Sequence, residues 1–185
     1  MPAREGPALL HQWLYAAAAR HPEQPAVVEH DVVVTLGQLL ERSSSIATAF
    51  RQHGLEVGER VGLVMEKSTD AITAVFATLC AGGAYVPVQP DWPPARIEAV
   101  LDDCDARLVV ADASLDGDAP PRVVDRRSGA TLSWAECLAT RPQPGPAHGR
   151  SPGSRPRRRK AAARDELRSC SCRRVSTPSA STTAG

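Results

Sequence analysis

Short apolar runs alternate with amphipathic segments between residues 26 and 112, and this alternation limits the chain to few folds. The runs at 60–65 and 106–112 are almost continuously apolar, which is typical of strands buried on both faces of a sheet. A further strand is predicted at 84–88, and the segments between the strands carry apolar residues at helical spacing. The pattern predicts an α/β fold in which a parallel sheet is flanked by helices.

Further elements are predicted before and after this series of buried strands and helices. Residues 8–20 have the spacing of an amphipathic helix, and the runs at 26–30 and 32–36 predict a hairpin or a bent pair of strands. After the last buried strand we expect a short strand at 122–124 and a helix at 132–139.

Local signals predict where the helices begin and end. Thr35 and Gln38 have the spacing of a capping box, and Gly54 would end that helix in the left-handed conformation. The next helix is expected to end at the glycines 82–83, and the prolines 93–94 suit the first turn of the helix after it. The expected core face of the helix before 82–83 consists of Ile72, Val75, Phe76 and Leu79.

The composition changes near residue 140. Residues 1–140 hold 11 Lys and Arg against 19 Asp and Glu, a net charge of −8, whereas residues 141–185 hold 11 against 2, a net charge of +9. The second part has only Leu167 and Val175 as large apolar residues, too few to offset the entropy lost on ordering the chain. We therefore expect a globular domain over 1–140 and a disordered Arg-, Pro- and Ser-rich tail over 141–185.

Two features of the sequence bear on cellular location. The chain has no run of about 18 apolar residues, so no membrane span is expected. Its five cysteines have no metal-type spacing, and Cys80 and Cys104 fall on apolar helix faces, where a buried free thiol is the plainest interpretation. We therefore expect a reducing, cytoplasmic location.

The stretch from 77 to 97 raises the question of phosphate binding, because it contains two adjacent glycines. A phosphate cradle needs glycines between a strand and the start of a helix, but the glycines 82–83 follow a helix and precede a strand. We interpret them as architectural. Pro87 has no N–H for a strand ladder and predicts an edge or a bulge. Arg96, in a first helical turn, needs a nearby carboxylate or a neighbouring subdomain.

The segment AGGAYVPVQPDWPPARI, residues 81–97, resembles an early signature of the amino-acid adenylation domains of nonribosomal peptide synthetases. These domains are AMP-dependent synthetases, members of the superfamily of ligases that form acyl-adenylates. Residues 34–88 follow the order of elements in that family almost segment by segment, and the resemblance covers about 8–115. Leu36 stands where the family usually has Tyr, and Gln89 where it usually has Asp; both positions look architectural.

The resemblance implies a two-step activation. ATP and an amino acid give an aminoacyl-adenylate and pyrophosphate, and the thiol of a phosphopantetheinyl carrier domain then accepts the acyl group. In the complete family domain, Mg²⁺, a lysine and a loop rich in Ser, Thr and Gly stabilise the charge of the polyphosphate. The implied cofactors and partners are therefore ATP, Mg²⁺, an amino acid and a carrier domain. No membrane partner is expected, and nucleic acid is disfavoured.

The phosphate loop of the family is not found in this sequence. Nothing in 141–185 matches a Thr-Ser-Gly-rich turn ending in Pro-Lys-Gly, and the small hydroxylated segment 176–185 lacks interior glycines and the lysine. The family's amino-acid pocket and its catalytic lysine are also missing. We therefore assign no catalytic, cofactor-binding or metal-binding residue to this chain, and we expect no turnover from it alone. The sequence does not identify the amino acid.

The composition of the tail leads to a hypothesis about this loss. Arg, Pro, Ser, Ala and Gly have the codons richest in G and C, and GC-rich DNA translated in a wrong frame gives such a mixture. We hypothesise a frameshift between about residues 140 and 165. The nucleotide sequence tests it: the hypothesis fails if no other frame downstream of codon 140 encodes a segment rich in Ser, Thr and Gly.

Two other interpretations of function stay open. The domain could act as a non-catalytic scaffold, and the tail could bind polyanions weakly through the basic segment 155–160. Two further features are weak metal signals. The cysteines at 170 and 172 have no second pair, and the carboxylates at 102–105 are either a metal site or, more simply, a solvated helix end.

The remaining candidates are aromatic and imidazole side chains. Tyr85 and Trp92 are either a stacking pair for a base or packing residues. The histidines have no spacing that implies catalysis and are expected at the surface or at helix ends. They are His11, His21, His30, His53 and His148.

Overall fold

The structure is a computed structural model, and it describes residues 9–112 and 120–145. Several predictions lie outside these ranges: the disorder of the tail from 146 onward, the frameshift, the basic and cysteine-containing motifs of the tail, and His148. In the described ranges, none of the helices is long and apolar enough to cross a bilayer.

The described ranges form five helices and seven strands. In chain order they are α1 (Leu10–Arg20), β1 (Pro25–Glu29), β2 (Val32–Thr35), α2 (Leu36–Gln52), β3 (Arg60–Val64), α3 (Thr69–Cys80), β4 (Ala84–Val88), α4 (Pro94–Asp103), β5 (Ala106–Ala111), β6 (Arg122–Asp125), β7 (Thr131–Ser133) and α5 (Trp134–Ala139).

The strands form two sheets. β1 and β2 pair antiparallel, which confirms the predicted hairpin. The other five strands lie in the order β4-β3-β5-β6-β7, with β4 and β5 parallel to β3 and with β6 and β7 antiparallel to their neighbours. The predicted α/β fold with helices flanking a sheet is confirmed, but the sheet is mixed. A parallel connection needs a crossover element, and the chain has no room for one on either side of β6.

Helices cover both faces of the larger sheet. α2, α3 and α5 pack on one face, in a core that contains Phe50, Leu108 and Val110. α4 covers the other face, where Leu101 packs against Val109 and its neighbours. Successive residues of β5 therefore enter opposite cores, which explains why its sequence is apolar at almost every position.

The fully buried face of α3 differs from the predicted core face. Ile72 is 39% exposed, and the other three residues of the predicted core face are only half-buried. The buried face consists of Thr69, Thr73, Ala74, Ala77, Thr78 and Cys80. The hydroxyls of Thr73 and Thr78 each donate to the carbonyl four residues earlier, at 2.8 Å, so neither is buried unpaired. The prediction holds in part, since Val75 and Phe76 pack against the core clusters. It was wrong for Ile72, and the fully buried face on which α2 packs consists of small and hydroxylated side chains.

α2, α3 and α4 end in the same way. The residue just past each C-cap is left-handed: Gly54 (φ 81°), Gly82 (φ 85°) and Asp105 (φ 49°). After both glycines, the next N–H donates to the carbonyl five residues earlier, at 3.0 and 2.9 Å. The helix ends predicted at 54 and 82–83 are confirmed, and each left-handed residue turns the chain toward the next strand.

Candidate functional site

The carboxyl ends of the parallel strands are where an open α/β sheet offers a crevice for a ligand. The turns that follow β3, β4 and β5 begin at Met65, Gln89 and Asp112. We call these three turns the carboxyl edge. α3 and α4 begin at this edge, so their first turns also face it.

Asp112 joins two turns of the carboxyl edge. Its N–H donates to the carbonyl of Val64 at 3.2 Å, and its Oδ2 accepts from the N–H of Glu66 at 2.8 Å. Burial raises the pKa of Asp112. The hydrogen bond from Glu66 acts against this rise, while the negative charges of Glu66 and Asp70 add to it. The carboxylate therefore fixes the geometry of the edge at an electrostatic cost.

Glu29 attaches the β1–β2 hairpin to the same edge. Its Oε2 accepts from the N–H of Thr69 at 2.8 Å, at the first turn of α3, where the helix dipole favours a negative charge. The nearby Thr69 hydroxyl and the hydrogen bond from the Thr69 N–H lower the pKa of Glu29. Ser68 caps the same helix, because its hydroxyl accepts from the N–H of Ala71 at 3.1 Å.

Trp92 and Arg96 form a contact within the proline-rich turn after β4. The guanidinium carbon of Arg96 lies 3.9 Å from the centre of the Trp92 ring, a cation–π arrangement. Trp92 also packs against the apolar cluster beneath α4. Among the residues that the structure describes, an aromatic ring rather than a carboxylate contacts Arg96; the alternative of a neighbouring subdomain stays a prediction. Tyr85 and Trp92, both described, make no ring contact with each other, so the packing interpretation fits Trp92.

The charge of the carboxyl edge disfavours a polyphosphate. Among the described residues of this edge, Glu29, Glu66, Asp70, Asp91 and Asp112 are acidic, and Lys67 and Arg96 are basic. Polyphosphate binding needs converging N–H groups and cations, but the turns at 65–68 and 89–93 contain no glycine. Within 9–112 and 120–145, no group of three His, Cys, Asp or Glu side chains is placed to hold a metal ion. The absence of catalytic residues stays a prediction.

The carboxylates at 102–105 lie at the opposite end of the sheet, where they pair with arginines. Asp102 accepts from Arg126 at 2.7 Å, and Asp105 pairs with Arg60 at 3.2 Å. The Arg60 guanidinium also donates to backbone carbonyls at the end of α4. The helix-end interpretation fits this arrangement.

The glycines 82–83 and Pro87 are placed as architectural residues. A Cβ on Gly83 would lie 3.1 Å from the carbonyl oxygen of Glu59, so the close approach of the chain there favours glycine. β4 is an edge strand of the described sheet, which confirms the edge predicted from Pro87. Both features lie before or within a strand, whereas a phosphate cradle lies between a strand and the start of a helix.

His11 lies in the first turn of α1, which fits the predicted position at a helix end, but its side chain is not at the surface. It is 5% exposed and shares one face of α1 with Leu14 and Ala18. Its ring meets that of Tyr15 edge-on, with 6.2 Å between the ring centroids. The spacing of 11, 14 and 18 is that of a helix face, which was the signal that could have placed this histidine in the interior.

Comparison with known proteins adds the family. The model of the family described as "AMP-binding enzyme" matches residues 14–167, which runs past the predicted domain limit at 140; that limit stays a prediction. Bacitracin synthase 1 of Bacillus licheniformis is 36% identical over 106 residues, covering 57% of this chain and 2% of that protein. The nonribosomal peptide synthetase FmoA3, solved in an AMPPNP-bound form, matches with a TM-score of 0.63 and 30% identity, covering 79% of this chain and 16% of that one.

A third match concerns the fold alone. The N-terminal subdomain of NpsA from Klebsiella oxytoca has a TM-score of 0.53 at 24% identity, covering 56% of this chain and 27% of that one. This chain therefore spans a small share of the length of the proteins it matches. The chain belongs to the AMP-binding enzyme family, and within it is similar to the N-terminal part of the adenylation domains of nonribosomal peptide synthetases.

Proposed function

We propose that this chain supplies the N-terminal, supporting part of an amino-acid-activating adenylation domain. In the complete domain, ATP and an amino acid would give an aminoacyl-AMP and pyrophosphate, and a phosphopantetheinyl carrier domain would accept the acyl group. The observation that carries the proposal is the ordered series from α2 to α4, with its paired glycines and proline-rich turn, in a chain whose relatives are peptide synthetases.

The acidic charge of the carboxyl edge favours a structural role for this chain over a catalytic one. A polyphosphate approaching this edge would meet Glu66, Asp70 and Asp112. The lysine and the Mg²⁺ that the chemistry needs would have to come from elsewhere in a complete domain. The AMPPNP in the FmoA3 structure supports ATP as the nucleotide of that domain.

A reducing cytoplasm is the location that fits this function. Cys80, Cys104 and Cys137 are free thiols in the described residues, which supports a compartment that keeps thiols reduced. The amino acid itself is outside the proposal, because the pocket that would select it is not among the described residues.

The first test is ATP–pyrophosphate exchange by the purified chain with each of the proteinogenic amino acids. We expect no exchange above the blank, while an intact adenylation domain assayed in parallel is active. Protected β5 amides in hydrogen exchange would show that the chain is folded during the assay. Robust exchange that depends on an amino acid would overturn the supporting role.

A chimera supplies the positive test. Residues 9–145 of this chain would replace the matching N-terminal segment of an intact adenylation domain from a relative. We expect the folded chimera to keep the exchange activity and amino-acid preference of the recipient. A folded chimera that is inactive with every amino acid would contradict the family role. A second chimera that carries Asp125→Ala, a change expected to destabilise this part of the fold, shows how the exchange activity responds to such damage.

A second candidate function is non-catalytic binding of a protein partner. The hairpin favours it, because Val28, Val32 and Val33 are 65%, 58% and 50% exposed. The test is whether the chain pulls down a full-length peptide synthetase. The wild type is compared with a variant in which Val28 and Val33 become Thr, a β-branched residue of similar shape. Equal pull-down by both proteins would exclude the hairpin as the binding surface. Polyanion binding by 155–160 lies outside the described residues.

A further inference from the structure

Residues 141–145, of sequence RPQPG, lie against the C-terminal halves of α2 and α3. The N–H of Gln143 donates to Oγ1 of Thr48 at 3.0 Å, and the carbonyl of Gln143 accepts from Nη2 of Arg51 at 3.1 Å. Thr48 and Arg51 are one helical turn apart on α2. Both backbone hydrogen-bonding groups of Gln143 are therefore held by neighbouring side chains of one helix.

The two side chains that hold Gln143 make further hydrogen bonds. The Thr48 hydroxyl donates to the carbonyl of Ser44 at 2.9 Å and accepts from Arg51 at 2.9 Å, so its donor and both acceptor sites are used. Nη1 of Arg51 reaches the carbonyl of Cys80 at 3.4 Å. α3 has no basic residue in its own last turn, and Arg51 places a positive charge at that helix end.

The sequence of the segment fits this site. Pro142 and Pro144 have no N–H to leave unpaired, and they restrict the backbone to extended conformations, which reduces the entropy lost on docking. A Cβ on Gly145 would lie 2.9 Å from the carbonyl oxygen of Cys80, a backbone atom that cannot move aside cheaply. The site therefore accepts a proline-flanked residue followed by glycine.

The docking is polar and shallow. All five residues of the segment are exposed, so none of its side chains is fully buried, and the docking depends largely on a few hydrogen bonds. Segments with few apolar contacts open at low free energy compared with the core. We propose that residues 141–145 are a strap, anchored by Arg51, which can leave α2 and α3 without unfolding the sheet. While the strap is docked, Gly145 is held beside the C-terminal end of α3, whatever the function of the domain.

The experiment is amide hydrogen exchange measured by NMR on the full 185-residue chain. Gln143 reports on the strap, and Val109 and Val110 of β5 report on the core. In the wild type we expect Gln143 to exchange more slowly than an unstructured amide. Two variants loosen the strap by different routes: Arg51→Met removes its anchor, and Gly145→Ala introduces the clash with the Cys80 carbonyl. Arg42→Met is the matched control, a half-buried arginine on the same helix.

We expect both strap variants to exchange Gln143 roughly tenfold faster, the effect of losing one hydrogen bond to a charged group. The β5 amides should keep their wild-type rates, and Arg42→Met should behave as wild type. The proposal is overturned if Gln143 is unprotected in the wild type, or if either strap variant leaves its rate unchanged. It is also overturned if Gln143 and the β5 amides accelerate together, because the segment would then be part of the core.

Discussion

The guanidinium of Arg107, in β5, forms an ion pair with the carboxylate of Asp125, in β6, and the two residues are only 7% and 4% exposed. Asp125 also accepts from the N–H of Arg127 at 2.7 Å and from the hydroxyl of Ser128 at 2.6 Å. Arg107 donates to the carbonyl of His53 at 3.1 Å. The pair thus connects the end of α2, the centre of the sheet and the turn between β6 and β7.

Asp125→Ala should lower the free energy of unfolding by about 3–5 kcal/mol, because it leaves a buried guanidinium without its counter-charge. Urea unfolding followed by circular dichroism measures this. Arg127→Ala is the control: it removes an ion pair with Glu59 in which the arginine side chain is 42% exposed, and should cost less than about 1 kcal/mol. Equal losses in the two variants would contradict a special role for the buried pair.

Gly62→Ala should destabilise the protein by about 1–3 kcal/mol through overpacking. A Cβ at this position in β3 would lie 2.3 Å from Cδ2 of Leu101, which α4 holds against the sheet. Leu101→Ala alone should cost about 2–5 kcal/mol by leaving a cavity. In the double variant the new methyl group occupies part of that cavity, so the measured loss should be smaller than the sum. Additive losses would show that the two side chains do not share this space.

Asp112→Asn should make the protein relatively more stable at neutral pH. Burial raises the pKa of Asp112 in the folded state above its value of about 3.9 in the unfolded chain. The protonated group therefore contributes stability below the unfolded-state pKa, and this contribution is lost as the pH rises through the folded-state pKa. Asn does not titrate and keeps an acceptor for the Glu66 N–H. Urea unfolding between pH 3 and 7 gives the free energy of unfolding of both proteins. The excess of the variant over the wild type should become smaller toward acid pH. A gain that grows toward acid pH would contradict the sign.

Cys104 should react with iodoacetamide in the folded protein well before Cys80 or Cys137. Burial raises the pKa of Cys137 to about 11 and also raises that of Cys80, and both residues are at most 2% exposed. At pH 8, about one Cys137 in a thousand would be thiolate, the reactive form. Peptide mapping by mass spectrometry gives the rates, with a urea-unfolded sample as control. Equal folded-state rates for Cys137 and Cys104 would contradict the burial.

The parts of the fold that the sequence predicted are those with a local physical cause. Thr35 and Gln38 form both hydrogen bonds of the predicted capping box, at 3.3 and 3.1 Å, because four adjacent residues are enough to define it. The apolar runs of β3 and β5 were visible because a strand covered on both faces has few positions for polar side chains.

What could not be predicted depends on contacts between distant residues. Thr73 and Thr78 count as polar in any pattern, yet they are buried because the helix itself satisfies their hydroxyls. Arg107 and Asp125 are separated by eighteen positions, and nothing in one sequence indicates that the two charges meet. The attachment of Gln143 to Arg51 is longer in range still, since it spans ninety-two positions.

The course of α3 gives the strap a geometric consequence. α3 runs antiparallel to β3, so Gly145, next to the carbonyl of Cys80, lies beside the strand starts. β3 is five residues long, so the far rim of the sheet is about 17 Å away. A polypeptide that continued from a docked Gly145 would have to span this distance to reach the carboxyl edge. That requires at least roughly five fully extended residues. Undocking would relax this distance requirement.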